Sequence, residues 1–265
     1  MSFAYLELLD EGEGVWRVTL QRTPGNAIDQ TMYREIAECF NHPDRYMADV
    51  RAIILTGAGK HFCTGNDLEE FSTMTPENGT ERMWRVREGF FAIQDCPVPV
   101  IGAIQGTAIG SGLAVAAACD VIVASTKAKF GLPELSVGVM GGAAHLARIG
   151  PQHMVRLMFF TGEHLPAQTM VQMGAGLIIV EPEQLLDEAL RIARKSASFS
   201  PTAVRLAKQV LNRVENMDLK TGYEFEQGFT VRMSGHPDAK EALRAVRERS
   251  TPHYRPLDQA WTLEA

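Results

Sequence analysis

Apolar and polar positions alternate at the start of the chain and gather into solid apolar blocks further on. Two short runs, Phe3 to Leu9 and Val15 to Leu20, have the partial two-residue period of half-buried strands. Gly12 and Gly14 stand between them, so the pattern predicts a strand pair joined by a glycine turn. After a Pro-Gly turn, Asp29 stands where a helix needs its cap, and a helix is predicted over Gln30 to Phe40. Arg51 to Thr56 is a compact apolar strand ending at Gly57 and Gly59. The loop His61 to Gly65 leads into a short helix around Asp67 to Phe71. A longer helix runs from about Asn78 to Gln94, stopped by Pro97 and Pro99.

The next stretch alternates tightly: a strand over Val98 to Ile104, a helix over Gly110 to Ala118, a strand over Asp120 to Ala124. Unbroken apolar runs of this kind belong to elements covered on both sides, as in α/β layers. Strand–helix units then give way to helices. Glu183 to Ala197 puts Leu186, Ala189, Leu190 and Ala193 on one face; Ala203 to Val214 does the same with Ala203, Ala207, Val210, Leu211 and Val214. The chain beyond Ser200 reads as helical, and its end, Arg255 to Ala265, as loose or packed on a neighbour.

Composition narrows the classes. A chain of 265 residues with 45% hydrophobic positions suits one large domain, or one with a small appendage. The net charge of −6 argues against a general nucleic-acid binder. No apolar run reaches the roughly 18 residues of a membrane span. The stretch Pro97 to Ala124 is interrupted by Gln105, Thr107, Ser111 and four glycines, so no membrane partner is expected. Met1 to Asp10 lacks the basic flank and apolar block of a signal peptide. Cys39, Cys63, Cys96 and Cys119 are scattered, with no CxxC pair and no histidine at ligand spacing. They predict buried free thiols in a cytoplasmic protein, and no metal site. Cys63 adjoins a glycine turn, and reactivity there would require surroundings that favour the thiolate.

Three glycine turns could carry chemistry. Gly57-Ala58-Gly59-Lys60 lacks the spacing of a phosphate loop. Gly110-Ser111-Gly112 is not a nucleophile elbow, because Ile109 and Leu113 occupy the flanking glycine positions. No Rossmann GxGxxG follows the first strand. Taken singly, all three are tight connections. However, Gly65 before Asn66-Asp67 and Gly110 before Ser111 are both strand–glycine–helix junctions. The first N–H groups of a helix lack internal partners and carry partial positive charge. Two such ends aimed at one point would make an oxyanion hole. Glu134 after Pro133 reads either as a helix-start carboxylate or as a proton carrier, Asn66 either as a cap or as a donor. His145, set among alanines, reads as a packed histidine, with a general base as the alternative. Lys240, Arg244, Arg247 and Arg249 form a solvated face or a phosphate-receiving cluster.

Several linked segments resemble the crotonase (enoyl-CoA hydratase/isomerase) superfamily. Residues 54–71, ILTGAGKHFCTGNDLEEF, resemble the form vltG-G-FcaGaDl; residues 98–120, VPVIGAIQGTAIGSGLAVAAACD, resemble P-iAav-G-a-GgG-ela-acD; residues 130–139, FGLPELSVGV, resemble Fg-pE--lGl. Asn26-Ala27, Thr161-Gly162-Glu163, Pro201 to Lys208 and Asp238 to Glu241 match further landmarks in order, so the resemblance spans nearly the whole chain. It implies an α/β fold: a repeated ββα spiral core over residues 1–197 that holds an acyl-CoA site. It also implies a helical C-terminal segment over 198–265 that joins subunits into a homotrimer or homohexamer. It implies no cofactor, coenzyme A arriving as part of the substrate. The two oxyanion N–H groups map to Asn66 and Ser111. Substrate contacts map to Asn26, Ala27, Thr64, Leu68, Gly110 and His145. Of the two catalytic glutamates of typical hydratases, the second maps to Glu134. The first falls on Ala114, which can neither donate nor accept a proton. The loop Met140 to His145 is shortened. The feruloyl-CoA hydratase-lyases are similar in keeping only the second glutamate.

The expected function is therefore acyl-CoA chemistry with one glutamate acid/base, double-bond isomerisation placed ahead of hydration or lyase chemistry. Two alternatives stand beside it. One is hydrolysis of a β-dicarbonyl or thioester substrate, with His145 as base; the other is an acyl-CoA binder without catalysis.

Overall fold

The computed structural model describes residues 3–263. The first two residues of the segment expected over 1–197, and the last two of that over 198–265, lie outside the described residues. β1 (Leu6–Asp10) and β2 (Val15–Leu20) form the anticipated antiparallel pair, with Leu6 opposite Leu20 and Leu8 opposite Val18. Every later neighbour in this sheet is parallel. β3 (Ala52–Gly57), β4 (Val100–Ile104), β6 (Val121–Ser125) and β9 (Ile178–Val180) complete a six-stranded sheet in the order β1-β2-β3-β4-β6-β9. A second, three-stranded sheet has the order β5-β7-β8, from β5 (Thr107–Ile109), β7 (Lys129–Gly131) and β8 (His164–Pro166).

The helices are α1 (Gln30–Asn41), α2 (Leu68–Phe71), α3 (Pro76–Gln94), α4 (Ser111–Ala118), α5 (Ala143–Ile149), α6 (Gln152–Thr161), α7 (Ala167–Gln172), α8 (Leu185–Ala197), α9 (Pro201–Val214), α10 (Leu219–Ser234) and α11 (Pro237–Glu248). The chain repeats one circuit: a strand in the large sheet, a strand in the small sheet, then a helix. β4–β5–α4 and β6–β7–α5 are complete circuits. Earlier circuits reduce the middle strand to one bridge. Cys63 pairs with Ala108 of β5 before α2 and α3, and Ile28 pairs with Asn66 before α1. This is the ββα spiral.

Both faces of the large sheet are covered, which explains the solid apolar runs; all five residues of β4 are buried. One face belongs to the main core with α1, α3 and α4. On the other face α8 lays Leu185, Ala189, Ala193 and Ala197 against Val15, Ala52, Ile54, Ile101, Ala103 and Val123. The buried row on α8 thus follows i, i+4 from Leu185, and Leu186 and Leu190 lie at its margin. The helix starts two residues after the predicted point because Pro182–Gln184 forms a 3-10 turn. α3 starts two residues early. Thr75 and Asn78 form a reciprocal capping box around Pro76, so Asn78 is inside the helix. Asp29 caps α1 as expected, accepting the Met32 N–H at 2.8 Å.

α9 is fastened to the core by one buried cation. Lys208 Nζ donates to Ile93 O at 3.2 Å, Val98 O at 3.1 Å and Asp120 Oδ2 at 2.7 Å. Between α9, α10 and α11 runs an apolar groove of about 670 Å³, lined by Leu206, Val210, Leu211, Phe229, Met233 and Leu243 among others. The expected α9 stripe is split: Val210 is buried, while Ala207 and Leu211 are open. Among the described residues no helix is long and apolar enough to cross a membrane. All four cysteines are free and buried, and burial pushes the Cys63 thiol up to about 12, far from a thiolate-favouring site.

Candidate active site

Two consecutive circuits of the spiral bring the glycine junctions side by side. Cys63 N–H donates to Thr107 O and Ile109 N–H donates to Cys63 O, both at 3.0 Å, so the first junction is laced to β5 just before the second. Gly112 lets α4 close on this ladder: a Cβ there would stand 2.2 Å from Cys63 O. At the first junction, Asp67 caps α2 by accepting the Glu70 N–H at 3.0 Å. Its other oxygen accepts from Arg22 Nη2 at 2.5 Å, and Arg22 Nη1 donates to Ala27 O at 2.9 Å. These bonds hold the Asp67 carboxyl below the ordinary aspartate range, the Glu70 N–H contributing most and Arg22 next. At the second junction Gly110 adopts φ +55°, ψ −120°, a conformation that L side chains rarely take. A Cβ there would meet Glu134 Oε1 at 2.9 Å. Glycine therefore allows both the turn and the approach of the carboxylate.

The N–H groups of Asn66 and Ser111 are the donors left over. Among the described residues neither donates a backbone hydrogen bond. They open on a cavity of about 140 Å³ lined by Thr64, Gly65, Asn66, Leu68, Phe71, Ile109, Gly110, Ser111, Pro133, Glu134, Val137 and Val139. Glu134 opens a 3-10 turn (Glu134–Val137) directly after Pro133. It is half-buried, and its Oε2 is enclosed without a hydrogen-bond partner. Burial raises its pKa above the ordinary 4.5, opposed only by its own backbone N–H. Ala114 is buried, at 1% exposure, and contributes no carboxylate. Glu134 is the one acid lining this cavity among the described residues.

Thr64, Asn66, Leu68, Gly110, Ser111 and Glu134 are thus brought together. Three other anticipated contacts lie apart from this cavity. Asn26 is fully buried, and its amide donates to Ala58 O and His61 O at 2.9 Å and Phe62 O at 3.2 Å. It clips the loop before Cys63 and does not line the cavity. The carbonyl of Ala27 is taken by Arg22. His145 packs edge-on against Phe90, ring centroids 5.0 Å apart, and does not line the cavity beside Glu134. Burial, then the nearby Arg148, lowers its pKa.

Tyr33, Phe71, Val137 and Val139 escaped the sequence reading. Tyr33 sits on the buried face of α1 at 1% exposure, where periodicity reads only core. Its hydroxyl nonetheless donates to Asn66 Oδ1 at 2.7 Å.

The α/β spiral thus holds an open pocket with two unpaired backbone N–H groups and one unpaired carboxylate. The chain matches the enoyl-CoA hydratase/isomerase family model over residues 10–256. It belongs to that family, whose enzymes act on coenzyme A thioesters. It is 36% identical over 228 residues to a (7aS)-7a-methyl-1,5-dioxo-2,3,5,6,7,7a-hexahydro-1H-indene-carboxyl-CoA hydrolase of Rhodococcus jostii, covering 84% of this chain and 87% of that protein. It is 34% identical over 206 residues to a short-chain-enoyl-CoA hydratase of Clostridium acetobutylicum, covering 76% and 79%. The crystal structure of an enoyl-CoA hydratase from Bacillus anthracis superposes with a TM-score of 0.87 at 30% identity, covering 95% of this chain and 99% of that one.

Proposed function

We propose that this chain moves a proton at the carbon beside the thioester carbonyl of an acyl-CoA, with Glu134 as the only carboxylate that handles it. The observation that carries this reading is the enclosed, unpaired Glu134 carboxylate set against the free backbone N–H groups of Asn66 and Ser111. The thioester oxygen accepts from the N–H groups of Asn66 and Ser111. As Glu134 takes the α-proton, negative charge collects on that oxygen, and one such donor is worth about 3 kcal/mol in the transition state. In isomerisation of a 3-enoyl thioester the same carboxylate returns the proton to the γ-carbon. The double bond moves into conjugation with no net gain or loss of atoms, so a single acid/base suffices. Leu68, 63% exposed at the mouth, and Thr64 offer contacts to the pantetheine arm. The reaction calls for no separate cofactor.

A second reading is water chemistry, favoured by the activities named for the relatives, a hydrolase and a hydratase. There Glu134 deprotonates a water, which adds to the β-carbon or to a carbonyl. One assay separates the readings. Product masses are followed over a panel of enoyl- and oxoacyl-CoAs: isomerisation conserves mass, hydration adds water, and thioester hydrolysis releases free CoA. Failure of every acyl-CoA to react would sink both readings and leave the non-catalytic binder. The assembly proposed with this function is a trimer or a dimer of trimers, supported by the open groove on α9–α11 and by exposed Leu211, Val231, Leu243 and Val246. Light scattering that returns a 29.2 kDa particle would contradict it. The four free cysteines support a reducing, cytoplasmic setting.

A further inference from the structure

The two proposed oxyanion donors carry polar side chains where the matching family segments read alanine and glycine. One of them, Asn66, is held by a buried phenol. Tyr33 is buried at 1% exposure, its ring edge-on to Phe90 with centroids 5.8 Å apart. Its hydroxyl donates to Asn66 Oδ1 at 2.7 Å. Burial keeps the phenol protonated. A phenol has one hydrogen to give, and it goes to Asn66 Oδ1.

This direction occupies the oxygen end of the Asn66 amide and leaves its Nδ2 hydrogens free. Among the described residues nothing accepts from Nδ2, and the group is not sealed from solvent. The residue lines the cavity. Of the other side chains there, Thr64 gives its hydroxyl hydrogen to Gly25 O at 3.2 Å, ionised Glu134 only accepts, and Leu68, Phe71, Ile109, Val137 and Val139 are apolar. An oxygen on the acyl chain would find the Asn66 amide waiting as a donor. A hydrocarbon chain would instead strip water from that amide and return nothing.

We infer that Asn66 is a specificity-determining residue: its side-chain amide, held by Tyr33, donates to an oxygen on the β-carbon of the acyl group and selects oxo- or hydroxyacyl-CoA thioesters over plain acyl chains. Backbone N–H and amide belong to one residue, so the two oxygens they meet lie close together on the substrate, as a thioester oxygen and a β-oxygen do. The inference rests on the proposed reading only in seating the thioester oxygen at the Asn66 and Ser111 N–H groups.

The test is a ratio of dissociation constants, measured by calorimetry for 3-hydroxybutanoyl-CoA and butanoyl-CoA. All proteins carry Glu134→Ala, which stops turnover and adds no donor to the cavity. The background protein binds the hydroxy thioester at least about 10-fold more tightly, the scale of one satisfied buried donor. Asn66→Ala brings the ratio to within about twofold of unity. Tyr33→Phe, which keeps the ring and cuts the tether, lowers the ratio part of the way. Asn66→Asp, of equal size and without N–H donors, reads the same loss if the alanine variant does not fold. A background ratio near one, or a ratio that survives Asn66→Ala and Asn66→Asp, overturns the inference. The Glu134 reading is followed separately, by α-proton exchange in D2O with native Glu134 in place. Exchange without any preference for the hydroxy thioester overturns the inference alone.

Discussion

Glu134→Gln keeps the side chain's length and shape and removes both its charge and its basicity. Positioned proton transfer contributes about 10²–10⁴ in rate, or roughly 3–5 kcal/mol of barrier. The Asn66 and Ser111 N–H groups are untouched, so affinity for acyl-CoA changes little and the loss falls on kcat. Stability moves the other way. The native carboxylate is half-buried, one oxygen has no donor, and its pKa is raised from 4.5 by burial. An acid whose folded pKa is raised holds its proton more tightly when folded. The penalty on folding therefore appears as pH climbs through 4.5 and is complete above the folded pKa. Below 4.5 the native side chain is protonated in both states and the penalty vanishes. Allowing for solvent on its open side, the neutral amide should gain at most about 1 kcal/mol at pH 7.5, or roughly 1–3 °C in Tm. Near pH 4 the two proteins should converge. Mass-resolved turnover on the best acyl-CoA and thermal melts at the two pH values are the assays. Near-native turnover in the variant, or a lower Tm at pH 7.5, would refute the reasoning.

The acid limb of the kcat/KM profile should lie above pH 4.5, because the base must be ionised and burial holds its proton; a limb at or below that value would contradict the placement of Glu134. Asn26→Ala should destabilise the fold by about 2–3 kcal/mol, through Ala58 O and Phe62 O left without a donor, and leave KM for acyl-CoA within twofold; a raised KM at unchanged stability would support a direct substrate contact. Lys208→Met should cost about 3 kcal/mol in urea unfolding, since Ile93 O, Val98 O and Asp120 lose a shared buried partner; an unmoved midpoint at constant slope would show the cation is dispensable.

The long elements were legible because burial writes itself into the sequence. β3, β4 and β6 are apolar on both faces, and α1 and α9 carry caps and one-sided stripes. The three-residue strands β5, β7, β8 and β9 were not, because a run that short has no period; pairing in the folded chain defines them. At the site, the glycine junctions and Glu134 stood out by residue type. For Asn26, a buried structural amide and a ligand contact look alike in one dimension. Tyr33 was hidden for the converse reason: its ring belongs to the core and only its hydroxyl touches a pocket residue, Asn66.

The distance between the Asn66 and Ser111 N–H groups is set by the backbone ladder at Cys63, Thr107 and Ile109, to which no side chain contributes a bond. The ladder works as a ruler built into the spiral, indifferent to what decorates the pocket walls. Leu68, Phe71, Val137 and Val139 can be exchanged to admit a ring, a branch or a longer tail while the grip on the carbonyl keeps its gauge. A single residue inserted between Gly106 and Gly110 would do the opposite. It would slip the register of β5 by one residue and throw the second donor out of alignment. Lineages built on this frame are therefore free to diversify in what they accept and constrained in where they hold it.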